Sequence, residues 1–274
     1  MRKRIGNVCL AALCIIAIIP SVNGTVAGSG LDELLKRTGR TVEFYWQQID
    51  SFACTELVTQ EKIGKKQKIE FKTDSTFDYL ALTKYHENGL AIEELRLPQK
   101  RSPDKSQKPS LLATNGFPTL LLIFHPRYQA NYQYRLEPES VESSGLLRVH
   151  FEQIPGMRST CALVLQERIY PLELRGSAWI DNETGTIRKV AADLISPLKD
   201  INIKAFSVEV VYRPETFSPD PEARWLPSTA TINVQTALQH WRNVHRYSQY
   251  RRFTVQSLET GQNRMNGPVN RQAE

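Results

Sequence analysis

Phe206-Ser207-Val208-Glu209-Val210-Val211-Tyr212-Arg213 alternates apolar and polar side chains with Val211 as its one exception, the period of two that belongs to a strand with one buried face. The same period recurs on either side. Ala230, Ile232 and Val234 alternate with Thr231, Asn233 and Gln235, and Leu147, Val149 and Phe151 alternate with Arg148, His150 and Glu152. Phe77, Tyr79 and Ala81 repeat it around polar Asp78, while Leu80 and Leu82 make that strand apolar on both faces. Glu87-Asn88-Gly89 and Asn182-Glu183-Thr184-Gly185 supply the Asn and Gly residues that tight hairpins require. Strands joined by such short turns are antiparallel. The count comes to about ten, with neither a βαβ unit nor a repeat of 20–50 residues.

Before Cys54 the period is helical. Ser29 with Asp32 reads as a helix start, and Leu31, Leu34, Leu35, Val42, Tyr45, Trp46 and Ile49 recur at helical spacing, which predicts an amphipathic helix over about 31–52. Gly39 weakens its middle and could divide it. A polar linker, Pro98 to Ser110, carries Lys100, Arg101, Lys105 and Lys108, and a short apolar helix is expected over 117–124. An open sheet of about ten strands must close, split, or curl around something that covers its apolar face. These two helices are the candidate covers. The fold class expected is mainly β: a curved, unclosed antiparallel half-barrel with an N-terminal amphipathic helix and a short inserted helix.

The chain opens with Arg2-Lys3-Arg4, an apolar run from Val8 to Ile19, and then Pro20 and small or polar residues. This is the three-part pattern of a secretory signal, cut after Gly24 or three residues later, and the run is shorter than a membrane span needs. Neither Cys9 nor Cys14 has the small residues and Leu that a lipoprotein signal places before its cysteine. The formal charge of +6 includes those three basic residues and residues 1–24 hold no acid, so the exported chain is nearer +3, since 6 − 3 = 3. So mild a balance does not point to nucleic acid, and 41% hydrophobic with 23% charged residues fits an ordinary folded chain rather than disorder. The expected organisation is a signal over 1–24, one β domain over 25–257, and a polar, disordered tail over 258–274. After cleavage only Cys54 and Cys161 remain; a disulfide is the expectation in an oxidising compartment, with two buried thiols as the alternative.

The order of signal, leading helix, long antiparallel meander and inserted apolar helix, together with the hairpin Trp179-Ile180-Asp181-Asn182-Glu183-Thr184-Gly185-Thr186-Ile187, resembles the outer-membrane lipoprotein carrier superfamily, in which a similar hairpin recurs. That resemblance implies a bent, unclosed sheet whose concave face is shielded by helices and holds lipid tails. Its partners would be lipid acyl chains or a lipoprotein in the periplasm or outside the cell. Buried methylenes contribute about 0.8 kcal/mol each, so such a groove needs no catalytic group. The candidate groove residues are Trp46, Leu80, Leu82, Phe117, Leu121, Phe124 and Trp179, with plain core as the alternative for each.

From Ala223 to Ser257 there is no acid, while Arg224, Arg242, Arg246, Arg251 and Arg252 are interleaved with Trp241, Tyr247, Tyr250 and Phe253. In an exported protein such a strip suits an anionic membrane surface better than nucleic acid. Arginines that block unwanted strand pairing are the plainer reading. His240 and His245 are five apart, on opposite faces of a strand, and His86, His125 and His150 stand singly, so no metal is expected. No H-E-x-x-H, G-x-S-x-G, Walker-type or G-x-G-x-x-G spacing occurs. Glu56, Asp78 and Glu94 are the acids that a hydrolase would have to bring together in space. No enzyme and no cofactor is expected; the alternative to a carrier is an envelope interaction module whose core is filled by its own side chains.

Overall fold

The computed structural model describes residues 26–49, 52–86, 89–99, 117–137, 145–165, 168–218 and 220–252. The signal, nearly all of the basic linker and the C-terminal tail expected from the sequence lie outside them. Helix α1 (Val26–Gln48) leads into β1 (Phe52–Ile63), β2 (Ile69–His86) and β3 (Gly89–Pro98). A 3-10 helix (Phe117–Phe124) precedes β4 (Tyr132–Leu136), β5 (Leu146–Gln153), β6 (Ala162–Leu165), β7 (Arg168–Pro171), β8 (Leu174–Asp181) and β9 (Ile187–Leu194). Three long strands follow: β10 (Ile203–Phe217), β11 (Asp220–Thr236) and β12 (His240–Arg252).

Ten strands form one sheet in the order β3-β2-β1-β12-β11-β10-β9-β8-β5-β4, and β6 pairs with β7 apart from it. Every pairing is antiparallel. The two ends of the order do not meet, so this is a mainly β, unclosed antiparallel sheet carrying one N-terminal helix, the class the alternation predicts. Its third and fourth strands are β1 and β12, whose pairing sets Phe52 opposite Arg252.

The inner face follows the register. Val208, Val210 and Tyr212 on β10, Ala230, Ile232 and Val234 on β11, and Ala178 and Ile180 on β8 are buried. Against them lies α1, whose Leu34, Thr38, Val42 and Trp46 recur every four residues and are at most 2% exposed. The helix is not divided at Gly39. A Cβ there would stand 3.0–3.1 Å from Gln129 and Pro126, so the glycine lets the segment after the 3-10 helix press close to α1. Gln129 Nε2 fastens that contact by donating to the carbonyls of Leu35 (3.0 Å) and Phe124 (2.8 Å). Leu120 to Phe124 are all buried, as expected for a segment apolar on every side, although the helix is of the tighter 3-10 kind.

The Asp181–Ile187 hairpin docks on α1. Asp181 Oδ1 accepts from the amide (2.9 Å) and hydroxyl (2.9 Å) of Thr184, closing the turn. Arg37 of α1 donates to the carbonyl of Asn182 at 3.0 Å, and Thr41 to that of Thr184 at 3.2 Å. Gly185 has φ +71 and sits so close to the helix that a Cβ would fall 2.7 Å from the Thr38 nitrogen. The Asn182-Glu183-Thr184 segment is thus a turn held against a helix.

One expectation is corrected outright. Cys54 and Cys161 are free, buried thiols rather than a disulfide. Cys54 faces inward from β1, where burial pushes its thiol up to about 12. Cys161 lies beside the hydroxyls of Thr119 (3.6 Å) and Thr160 (3.7 Å), and burial raises it too. As undissociated thiols both behave as small apolar side chains.

Candidate functional site: a groove along the first helix

Among the described residues, side chains pack most of the space under the sheet. The cavity remaining there, lined by residues including Tyr45, Cys54, Tyr79, Pro118 and Tyr250, has a volume of about 20 Å³, room for about one water. Of the residues expected to line an acyl groove, Leu121 and Phe124 belong to the buried core. Trp46 packs with Leu122 and Tyr128 beneath β3. Phe117 opens the 3-10 helix, and its side chain lies outside the described structure.

Leu80, Leu82 and Trp179 go elsewhere, which corrects the expected groove. Leu80 is opposite Ala53 and Leu95, and the strand's alternation puts it on the face away from buried Tyr79 and Ala81. Leu82 shares that face. Trp179 lies outside between buried Ala178 and Ile180, with Lys189 at 3.9 Å and Arg148 at 5.0 Å over its ring. An apolar residue flanked by apolar neighbours carries no signal of which face it takes; only register supplies it.

The inner face near β1 holds a buried polar cluster. Glu56, fully buried, receives Arg96 Nε at 2.6 Å and Nη2 at 3.0 Å, and meets His245 Nδ1 at 2.7 Å. Tyr79 donates to Glu94 at 2.7 Å, and Arg96 also lies 3.4 Å from Glu94 and over the Tyr79 ring. Burial by itself would raise Glu56, but the bonds from His245 and Arg96 outweigh it and hold the carboxyl below the usual range. Burial lowers His245, more than Glu56 raises it, so the imidazole is neutral at pH 7 and its Nδ1–H donates. Two of the three scattered acids, Glu56 and Glu94, therefore meet, but around an arginine and sealed from solvent. Asp78 is on the other face, 3.4 Å from Arg251. Among the described residues no group of three His, Cys, Asp or Glu could hold a metal ion.

Three arginines of the basic strip, Arg242, Arg246 and Arg251, lie on the outer face. Arg242 donates to Glu61 from Nε at 2.8 Å, Arg246 reaches the Thr59 hydroxyl at 3.5 Å, and Arg251 reaches Asp78. Arg252 ends β12 opposite Phe52. Arg242 and Arg251 are thus matched by acids across the strands, the pattern of a cross-linked solvated face.

An apolar opening large enough for a ligand lies on the flank of α1. It is a groove of about 470 Å³ between the helix, the start of β11 and the Asp181–Ile187 hairpin. Phe44, Tyr45, Phe52, Trp225 and Leu226 form its apolar wall, and Arg40, Arg188 and Arg224 stand on it. Tyr45, Phe52 and Leu226 also line the 20 Å³ cavity, so the groove runs up to the interior through three shared side chains. The sequence held a clue to it. Phe44 lies off the Leu34–Thr38–Val42–Trp46 stripe and is 46% exposed, an aromatic where an amphipathic helix should be polar.

Fold and site together define an unclosed antiparallel sheet curled over a helix, its interior packed and an apolar groove open at one flank. No protein-family model and no curated protein matches the sequence. Among solved structures, the chain is similar to a domain named for outer membrane lipoprotein sorting from Vibrio parahaemolyticus, at 9% identity and TM-score 0.43, covering 83% of this chain and 95% of that one. It is also similar to a DUF1329 family protein from Desulfovibrio piger, at 12% identity and TM-score 0.40, covering 84% and 95% respectively.

Proposed function

We propose that this is an exported, non-catalytic protein that holds the apolar chain of a lipid or lipidated protein in the groove along α1. The observation that carries the reading is the groove itself: about 470 Å³, within the 300–1,000 Å³ range of small-molecule sites, and walled by aromatic and aliphatic side chains. Five or six seated methylenes would contribute roughly 4–5 kcal/mol at ~0.8 kcal/mol each. The filled interior supports a division of labour in which α1 and the 3-10 helix complete the core and leave the flank to the ligand. The envelope interaction module remains the second reading, favoured by that same filled interior.

The test is titration of delipidated protein with cis-parinaric acid. Binding should have a dissociation constant of about 1 mM or tighter, the strength that ~4–5 kcal/mol of seated chain sets. Phe44→Glu, at an exposed helix position, should weaken it at least about tenfold without changing Tm by more than a degree or two. Absence of binding by the wild type, or equal binding by the variant, would leave the groove without this role.

A further inference from the structure

We infer that the groove selects ligands with an anionic head group, phosphate or carboxylate, gripped by Arg40, Arg188 and Arg224. This rests on the groove being the ligand site. Its lining holds three arginines against one acid, Glu222. Two of the three are braced by aromatic rings. The Arg188 guanidinium lies 3.3 Å from the centre of the Trp225 ring, and Nη2 is anchored on Asp181 at 2.8 Å. Its other terminal nitrogen, Nη1, is buried and has no hydrogen-bond partner among the described residues. A buried guanidinium donor in that condition lacks an acceptor, and an anion in the groove supplies one. Stacking on Trp225 fixes the plane in which that acceptor must lie.

Arg224 repeats the arrangement across the groove. Its guanidinium lies 5.3 Å from the centre of the Phe44 ring, and Nη1 is 2.7 Å from Glu222. Glu222 is 70% exposed and Arg224 only 14%, so this partner is a solvated carboxylate that a bound anion can displace at little cost. Arg40 is one helical turn before Phe44 and therefore on the same side of α1. Aromatic wall and cationic rim thus belong to one surface: the rings that would contact a chain also orient the guanidiniums that would meet its head. Bidentate Arg–phosphate and Arg–carboxylate pairs are the geometry that such preset forks favour.

The experiment compares ligands of one chain length in competition with cis-parinaric acid: dodecyl phosphate, dodecanoate, neutral monolauroyl glycerol, and inorganic phosphate alone. Dodecyl phosphate and dodecanoate should bind about tenfold or more tighter than monolauroyl glycerol, with the gap narrowing as salt is raised. Arg188→Gln with Arg224→Gln should shrink the gap to about twofold. Arg40→Gln, at an exposed helix position that does not threaten folding, should narrow it partway. Equal wild-type affinity for charged and neutral chains would overturn the head-group inference and leave the groove reading intact. Failure of every chain to bind would overturn both. Competition by inorganic phosphate as strong as that of dodecyl phosphate would identify a free-anion site and overturn the lipid source.

Discussion

Replacing Glu56 by Leu tests whether the cluster inside β1 behaves as one desolvated unit. Glu56 is fully buried and the Arg96 side chain is 12% exposed, so solvent can compensate little of what is removed. The variant leaves Arg96 with Glu94 at 3.4 Å and deprives His245 of its acceptor. Stranding one member of a buried pair costs about 3–5 kcal/mol. For a chain of this size that lowers Tm by roughly 6–20 °C, at about 2–4 °C per kcal/mol. Arg96→Met strands Glu56 and removes the cation beside buried Glu94, so it should cost at least as much. The double variant removes both charges and keeps the volume, so it should recover at least about 2 kcal/mol of the summed loss. Urea denaturation with linear extrapolation gives all three values. Additivity of the two single losses to within about 0.5 kcal/mol would refute the reasoning, because it would mean that each group is served independently by solvent.

Gly185→Ala should destabilise more than Gly156→Ala in the same denaturation assay. Both have positive φ and share a left-handed penalty of about 1–2 kcal/mol, but only the former drives a Cβ to 2.7 Å from the Thr38 nitrogen; equal losses would mean that the hairpin can back away from the helix. Stability should also fall on acidification from pH 7.5 to 5.5. Burial holds His245 below its ordinary 6.5, so the unfolded chain takes up the proton first, and the stabilisation present above that pH is lost below it. His125 and His150 are shifted in the same direction, so His245→Gln should flatten the Tm–pH slope only in part, and an unchanged slope would contradict the assignment.

The architecture was legible where side chains alternate cleanly. Phe206–Arg213 and Ala230–Gln235 show their buried faces in the sequence, and the class of open antiparallel sheet followed from them. The site was not legible, for a physical reason. Leu80, Leu82 and Trp179 are as apolar as any core residue, yet register turns them outward, and one-residue register is information the composition of a strand does not hold. The residues that form the groove come from a helix, a hairpin and the start of β11, each ordinary in its own segment. Phe44 alone announced itself, by standing off the apolar stripe. Glu56 and Glu94 were visible as acids, but that they would close around Arg96 depended on the pairing of β1, β2 and β3.

The seam between β1 and β12 has a consequence for how the molecule is made. Hydrogen bonds in this sheet join β1 to β12, so a nascent chain lacking β12 presents a three-stranded piece and a six-stranded piece, each with a raw edge. Completion must wait for β12, and contacts of such sequence separation form slowly. A protein built this way keeps its sheet in two pieces until β12 has been synthesised.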